Sequence, residues 1–230
     1  MAGDCALMPK GGFGIFVQGL LFLVSIGVLV LKFKKEGQER TLREFMLDSS
    51  KQLFGAGWIH VANMGCAMML GSGMNGNGCE WYWVNIVMDC TLGVYVEYHL
   101  LHLVTYVLES VTGNTGDFRT GEYKDEKGNF HAEKYVKQLM AWALVVTGMK
   151  FIMVFFMVLF SSFFMAIART ILAPVKNNPR TELIVVMIIT PCFMNALQFW
   201  LTDNFIKKHD GTHARTLMEP MVDEEKADIE

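Results

Sequence analysis

Between Phe13 and Leu31, nineteen consecutive residues carry no charge, and only Gln18 and Ser25 have polar side chains. At ~1.5 Å per residue a helix of that run reaches about 28 Å, close to the hydrocarbon thickness of a bilayer. A helix of a water-soluble domain keeps one polar face, so a stretch that is apolar all round belongs in lipid. Backbone groups in lipid must be bonded within a helix or a closed barrel, and no strand periodicity is visible. The expected fold is therefore all-α, a polytopic membrane helix bundle.

The chain is 52% hydrophobic over 230 residues, and the apolar residues come in blocks separated by short charged stretches. Five spans are expected, at 13–31, 53–70, 84–107, 139–167 and 183–205. Residues 1–12 then form the N-terminus, 13–205 the bundle and 206–230 a short tail. The fourth block is longer than ~30 Å of hydrocarbon needs, which predicts a tilt or an emergent end. The second is diluted by Gly55, Gly57, His60 and Asn63, so a four-span arrangement with a re-entrant second segment stays open.

Basic residues set the orientation. Lys10, Arg169, Lys176 and Arg180 fall on one side of the alternating spans; six basic residues in 32–52, five in 108–138 and four in 206–230 fall on the other. The positive-inside rule makes the richer side cytosolic, leaving the N-terminus luminal and the C-terminus cytosolic. The first span reads as an uncleaved anchor, because the stronger basic cluster follows it. Of five cysteines at least one is free or pairs between chains; Cys66–Cys79, Cys5–Cys79 and free thiols are all open.

Ionisable groups inside spans cost roughly 2.5–3.5 kcal/mol each on insertion scales, so their positions carry information. On a helical wheel with Asn85 at zero, Asp89 falls at about 40°, His99 about 320°, Tyr95 about 280°, His102 about 260° and Thr91 about 240°. That arc must face other helices or a hydrated cavity, while Glu97, at about 120°, lies off it. Lys150 is the only Lys or Arg within the five expected spans. Depth counting at ~1.5 Å per residue puts it within ~5 Å of Asp89, close enough for the pair to fasten the third span to the fourth. The same counting places Glu97 near His60. Asn195, Gln198 and Thr202 make a polar stripe on the fifth span, beside Asp203, and Pro191 predicts a kink there. His60 and Asn63 lie one turn apart on the second.

This polar set can be interhelical glue or the wall of a path for protons or ions. Enzymatic chemistry is not expected: His99 and His102 have zinc-ligand spacing, but Asp89 is ~15 Å away along the axis. No serine sits in a nucleophile elbow, and no cofactor or nucleic-acid partner is expected. Lys32, Lys34, Lys35, Arg40 and Arg43 form a juxtamembrane basic patch, read as topology-determining charge or as an attractor of anionic lipid worth about 1 kcal/mol per residue.

The motifs "FMLDSSKQLFG" with "IHVAN", "CEWYWVNIVMDCTLG", "GEY", "NPRTELIVVM" and "PCFMNALQFWLTDNF" occur in order between Phe13 and Lys208. They carry Asp48, Ser50, Lys51, Gln52, His60, Asn63, Cys79, Asn85, Asp89, Thr91, Gly93, Pro191, Asn195, Asp203 and Asn204, and Lys150 stands in order between "GEY" and "NPRTELIVVM". This set resembles the STIMATE family of multi-pass membrane proteins. The resemblance implies a non-enzymatic regulator of store-operated calcium entry in the endoplasmic reticulum membrane, with an endoplasmic-reticulum calcium sensor as partner; fungal relatives point instead to the vacuolar membrane. Animal members carry a longer charged tail than "MVDEEKADIE" provides. The reading from a different class is a small proton- or ion-linked transporter built on the buried polar cluster.

Overall fold

Segments that are apolar on every side bury their few polar groups against one another. The computed structural model describes residues 12–36, 41–73, 77–113, 116–124 and 129–207. These form α1 (Gly12–Glu36), α2 (Leu42–Gly73), α3 (Gly78–Met88), α4 (Val94–Thr112), α5 (Ala132–Leu159), α6 (Ser161–Leu172), α7 (Pro179–Ile184) and α8 (Thr190–Ile206). A π-helical turn, Asp89–Gly93, joins α3 to α4 without a break, and a second, Val185–Ile189, joins α7 to α8. Among the described residues no strand forms; Lys124 and Phe130 make one isolated bridge.

Among the described residues, three helices are long and apolar enough to cross a membrane: Leu42–Gly73, Ala132–Leu159 and Arg180–Ile206. The polarity of the fold is inverted relative to a water-soluble protein. Asp89 and Asp203 are fully buried, whereas Phe151 is 74% and Phe193 71% exposed. Charged side chains are almost never fully buried unless paired, and an outer surface of large apolar side chains requires an apolar surrounding.

The core is rich in methionine. On α5, Trp142, Val145, Val146, Met149, Met153 and Met157 follow helical spacing and are all buried, while Phe151 and Phe155 on the opposite face are exposed. Gly55 and Gly93 let helices approach closely. A side chain at Gly55 would place its Cβ 2.5 Å from Trp142 Nε1, and one at Gly93 would meet Met149 Sδ at 3.0 Å.

Three departures from the expected spans have physical causes. The second helix begins at Leu42, eleven residues before the apolar block, because Asp48, Lys51 and Gln52 are buried and paired there. The fourth block is two helices: Phe160, at φ −108° and ψ 29°, leaves helical geometry and divides α5 from α6. Pro191 falls within the first turn of α8, immediately after the second π-turn. A wider turn relieves the clash that a proline ring makes with the carbonyl four residues earlier.

Candidate functional site: a buried polar network

Asp89 closes α3 at the start of the first π-turn, and Lys150 faces it from α5. Lys150 Nζ lies 2.9 Å from Asp89 Oδ2 and 3.2 Å from Oδ1, and donates to Asn85 Oδ1 at 2.8 Å. Asn85 Nδ2 donates to the Trp81 carbonyl at 2.8 Å, and the Asn63 side chain on α2 lies beside Asp89. Three helices thus converge on one carboxylate, and all four side chains are buried. A buried ion pair is tolerated only when its remaining donors and acceptors are also satisfied, and Asn85 takes up one of the Lys150 donors.

The π-turn explains where the wheel fails. One extra residue in a turn rotates everything beyond it by about 100°. Glu97 then moves from about 120° to about 20°, onto the same face as Asp89 and Asn85. The structure has Glu97 1% exposed, while Thr91, Tyr95, His99 and His102 all lie on the exposed surface of the helix. The expected arc is corrected accordingly: Asn85 and Asp89 belong to it, Glu97 joins it, and His99 and His102 leave it. The two histidines pack edge-on against Tyr98 instead. The depth-matched partnership of Glu97 with His60 is not formed. His60 Nδ1 is 3.4 Å from Tyr82 Oη, and among the described residues neither Glu97 oxygen has a hydrogen-bond partner.

A second cluster closes the end of the bundle that holds the C-terminus of α1. Lys32 Nζ lies 3.3 Å from Asp203 Oδ2 and donates to the Trp200 carbonyl at 2.6 Å and Asn204 Oδ1 at 2.7 Å. Gln52 Nε2 donates to Asp203 Oδ1 at 2.7 Å. Beside them Lys51 Nζ, 3.5 Å from Asp48 Oδ1, donates to Thr120 Oγ1 at 2.8 Å and Gln138 Oε1 at 3.1 Å. Tyr123 Oη donates to Asp48 Oδ1, so the segment between α4 and α5 is pinned across the helix ends.

This cluster corrects the expected basic patch. Lys32 is 3% exposed and belongs to the interior, not to a lipid-facing surface. Lys34 and Lys35 are exposed, Arg43 stacks over the Phe130 ring at 3.9 Å, and Arg40 lies outside the described residues. On α8, Gln198 accepts from Cys90 Sγ at 3.1 Å and Thr202 is buried, while Asn195 is half-buried and joins neither cluster. Asp48, Lys51 and Gln52 were visible only as part of a family motif; their burial has no signal in hydropathy, which falls where they begin.

At the opposite end, Asn77 and Glu80 form a reciprocal cap on α3, with backbone-to-side-chain bonds of 2.8 and 3.2 Å. Glu80 also meets Lys176 Nζ at 2.7 Å and Arg169 Nε at 3.5 Å. Burial alone would raise the Glu80 carboxyl, but the Lys176 and Asn77 hydrogen bonds and the nearby positive charges hold it below its ordinary value. Cys79 is disulfide-bonded, while Cys66, Cys90 and Cys192 are free, so the Cys66–Cys79 pairing is excluded. Cys5 lies outside the described residues. Among the described residues no group of three His, Cys, Asp or Glu side chains is placed to hold a metal.

The chain is 27% identical over 222 residues to a vacuolar membrane protein of Saccharomyces cerevisiae, spanning 89% of this chain and 80% of that protein. No solved structure matches it. The sequence model of the STIMATE family matches residues 79–208, a segment that holds Asp89, Glu97, Lys150 and Asp203. That match covers more than half of the chain, which therefore belongs to the STIMATE family.

Proposed function

We propose that the chain is a non-enzymatic scaffold or regulator of an internal membrane, with five helical runs crossing the bilayer, the N-terminus luminal and the C-terminus cytosolic. The observation that carries this reading is how the buried charges are used. Asp89 joins Lys150 across helices, Asp203 joins Lys32 across helices, and Asp48 joins Lys51 beneath Tyr123. Groups held in this way fasten helices and are not poised to react. The family supports a role in store-operated calcium entry at the endoplasmic reticulum, with a calcium-sensor protein as partner; the yeast relative's description supports the vacuolar membrane as the alternative compartment. Lys34, Lys35 and Arg43 are the exposed basic groups that would meet anionic lipid.

Proximity labelling from the C-terminal tail in the native cell tests this. Endoplasmic-reticulum neighbours that include a calcium sensor support the calcium-entry role, and vacuolar neighbours support the alternative. A cell-surface neighbourhood refutes both. The ion-linked transporter is the second reading, favoured by the unpartnered Glu97. It requires a flux in proteoliposomes that Asp89→Asn abolishes.

A further inference from the structure

Glu97 is the one buried side chain of the interior clusters whose charge nothing among the described residues balances. Asp48, Asp89 and Asp203 each have a lysine within 3.5 Å. Glu97 faces a cavity of about 10 Å³ where α2, α4, α5 and α8 meet, lined also by Gln52, Gly55, Trp142, Gln198 and Thr202. Four buried polar groups on that lining lack a partner among the described residues: both Glu97 oxygens, Gln52 Oε1, Thr202 Oγ1 and Trp142 Nε1. Buried polar atoms without partners are rare in folded proteins, and four residues supplying them around one cavity point to an occupant.

We propose that Glu97, Gln52 and Thr202 form a binding site for one small monovalent metal cation of the sodium class. Acceptor oxygens outnumber the single N–H donor, which suits a cation and disfavours an anion or an apolar ligand. One carboxylate balances one positive charge; a divalent ion would leave an uncompensated charge in the membrane interior, a costly state. Amide, hydroxyl and carboxylate oxygens are hard ligands, and no thiolate or imidazole lines the cavity to attract a transition metal. A volume near that of one water sphere has room for a single dehydrated alkali-metal ion, and a carboxylate, as a high-field ligand, favours the smaller sodium ion over potassium. Gly55 keeps the wall in place, since any side chain there would displace the Trp142 indole. This site goes beyond the scaffold reading and does not depend on it.

The test is thermal unfolding of the full chain in nanodiscs of neutral lipid, followed by tryptophan fluorescence. Sodium, potassium and choline chloride are compared at one ionic strength. The expected result is a saturable stabilisation by sodium, much weaker with potassium, that Glu97→Gln abolishes. Thr202→Val, which removes one oxygen at nearly constant volume, should raise the sodium midpoint on the order of tenfold. A wild-type protein indifferent to sodium overturns the proposal, as does a Glu97→Gln variant that keeps the sodium response. Wild type indifferent to sodium, with Glu97→Gln more stable in every salt, assigns the site to a proton and equally overturns it. If Glu97→Gln fails to fold, an unchanged midpoint in Thr202→Val is the overturning result.

Discussion

Lys150→Met is the substitution that most directly examines how the helices are held. Methionine keeps the length and most of the volume of the lysine stem, so packing against the α5 methionines is retained. What disappears is the ammonium that meets Asp89 at 2.9 and 3.2 Å and Asn85 Oδ1 at 2.8 Å. Leaving one member of a buried pair costs about 3–5 kcal/mol, and the stranded Asn85 oxygen about 1–3 kcal/mol more. The expected loss is therefore about 4–8 kcal/mol, a large share of the stability of a small domain. Asp89→Asn should cost less, because Lys150 still reaches an amide oxygen there and keeps its bond to Asn85. The double variant should recover part of the sum, with a coupling energy above ~1 kcal/mol. Reversible unfolding in mixed micelles measures all three. Additivity of the two single changes within ~0.5 kcal/mol would refute the pair as a fastener.

Lys32→Gln should destabilise by about 2–4 kcal/mol by removing the ammonium 3.3 Å from Asp203, whereas Lys34→Gln should stay within ~0.5 kcal/mol; equal effects in the same unfolding assay would contradict the buried placement of Lys32. Gly55→Ala drives a methyl into the Trp142 ring and should cost about 1–3 kcal/mol, while Gly57→Ala, with nothing within 4 Å, should be neutral or slightly stabilising. Because the Glu80 carboxyl is held below its ordinary value, the unfolded chain takes up its proton first as pH falls. Its stabilisation is present above the unfolded value near ~4.3 and is lost as pH drops through the folded one. Melting temperature should therefore fall on acidification below about pH 5, with a shallower slope in Glu80→Gln; parallel slopes would remove Glu80 as the cause.

Helix content and membrane character were legible because apolar blocks without charge have few other places to go. The nearness of Asp89 and Lys150 was legible too, since depth along a helix needs only a count of residues and no knowledge of phase. Phase was the weak point. The wheel assumed ~3.6 residues per turn throughout, and the π-turn at Asp89–Gly93 moved Glu97 inward and turned His99 and His102 out. Span edges failed for a related reason. Hydropathy ends a helix at its first charge, but α1 runs to Glu36 and α2 starts at Leu42, so Lys32 and Lys51 lie within helices and inside the bundle. Only a partner from another helix tells a buried lysine from a boundary lysine, and Asp203 lies at the far end of the chain.

That separation sets a schedule for biosynthesis. Lys32 bonds Asn204 across 172 positions of sequence, with α1 emerging first and α8 last. At about 5–20 residues per second, roughly 10–30 s of translation pass before the ribosome delivers the partner of that lysine. During this interval the Lys32 ammonium is without the α8 groups, and its long stem can carry the charge toward the headgroup region. Arrival of Asp203 draws the ammonium inward and locks the first helix against the last. A nascent chain stopped short of α8 would hold the earlier helices and still lack the Trp200, Asp203 and Asn204 groups that bind the Lys32 ammonium.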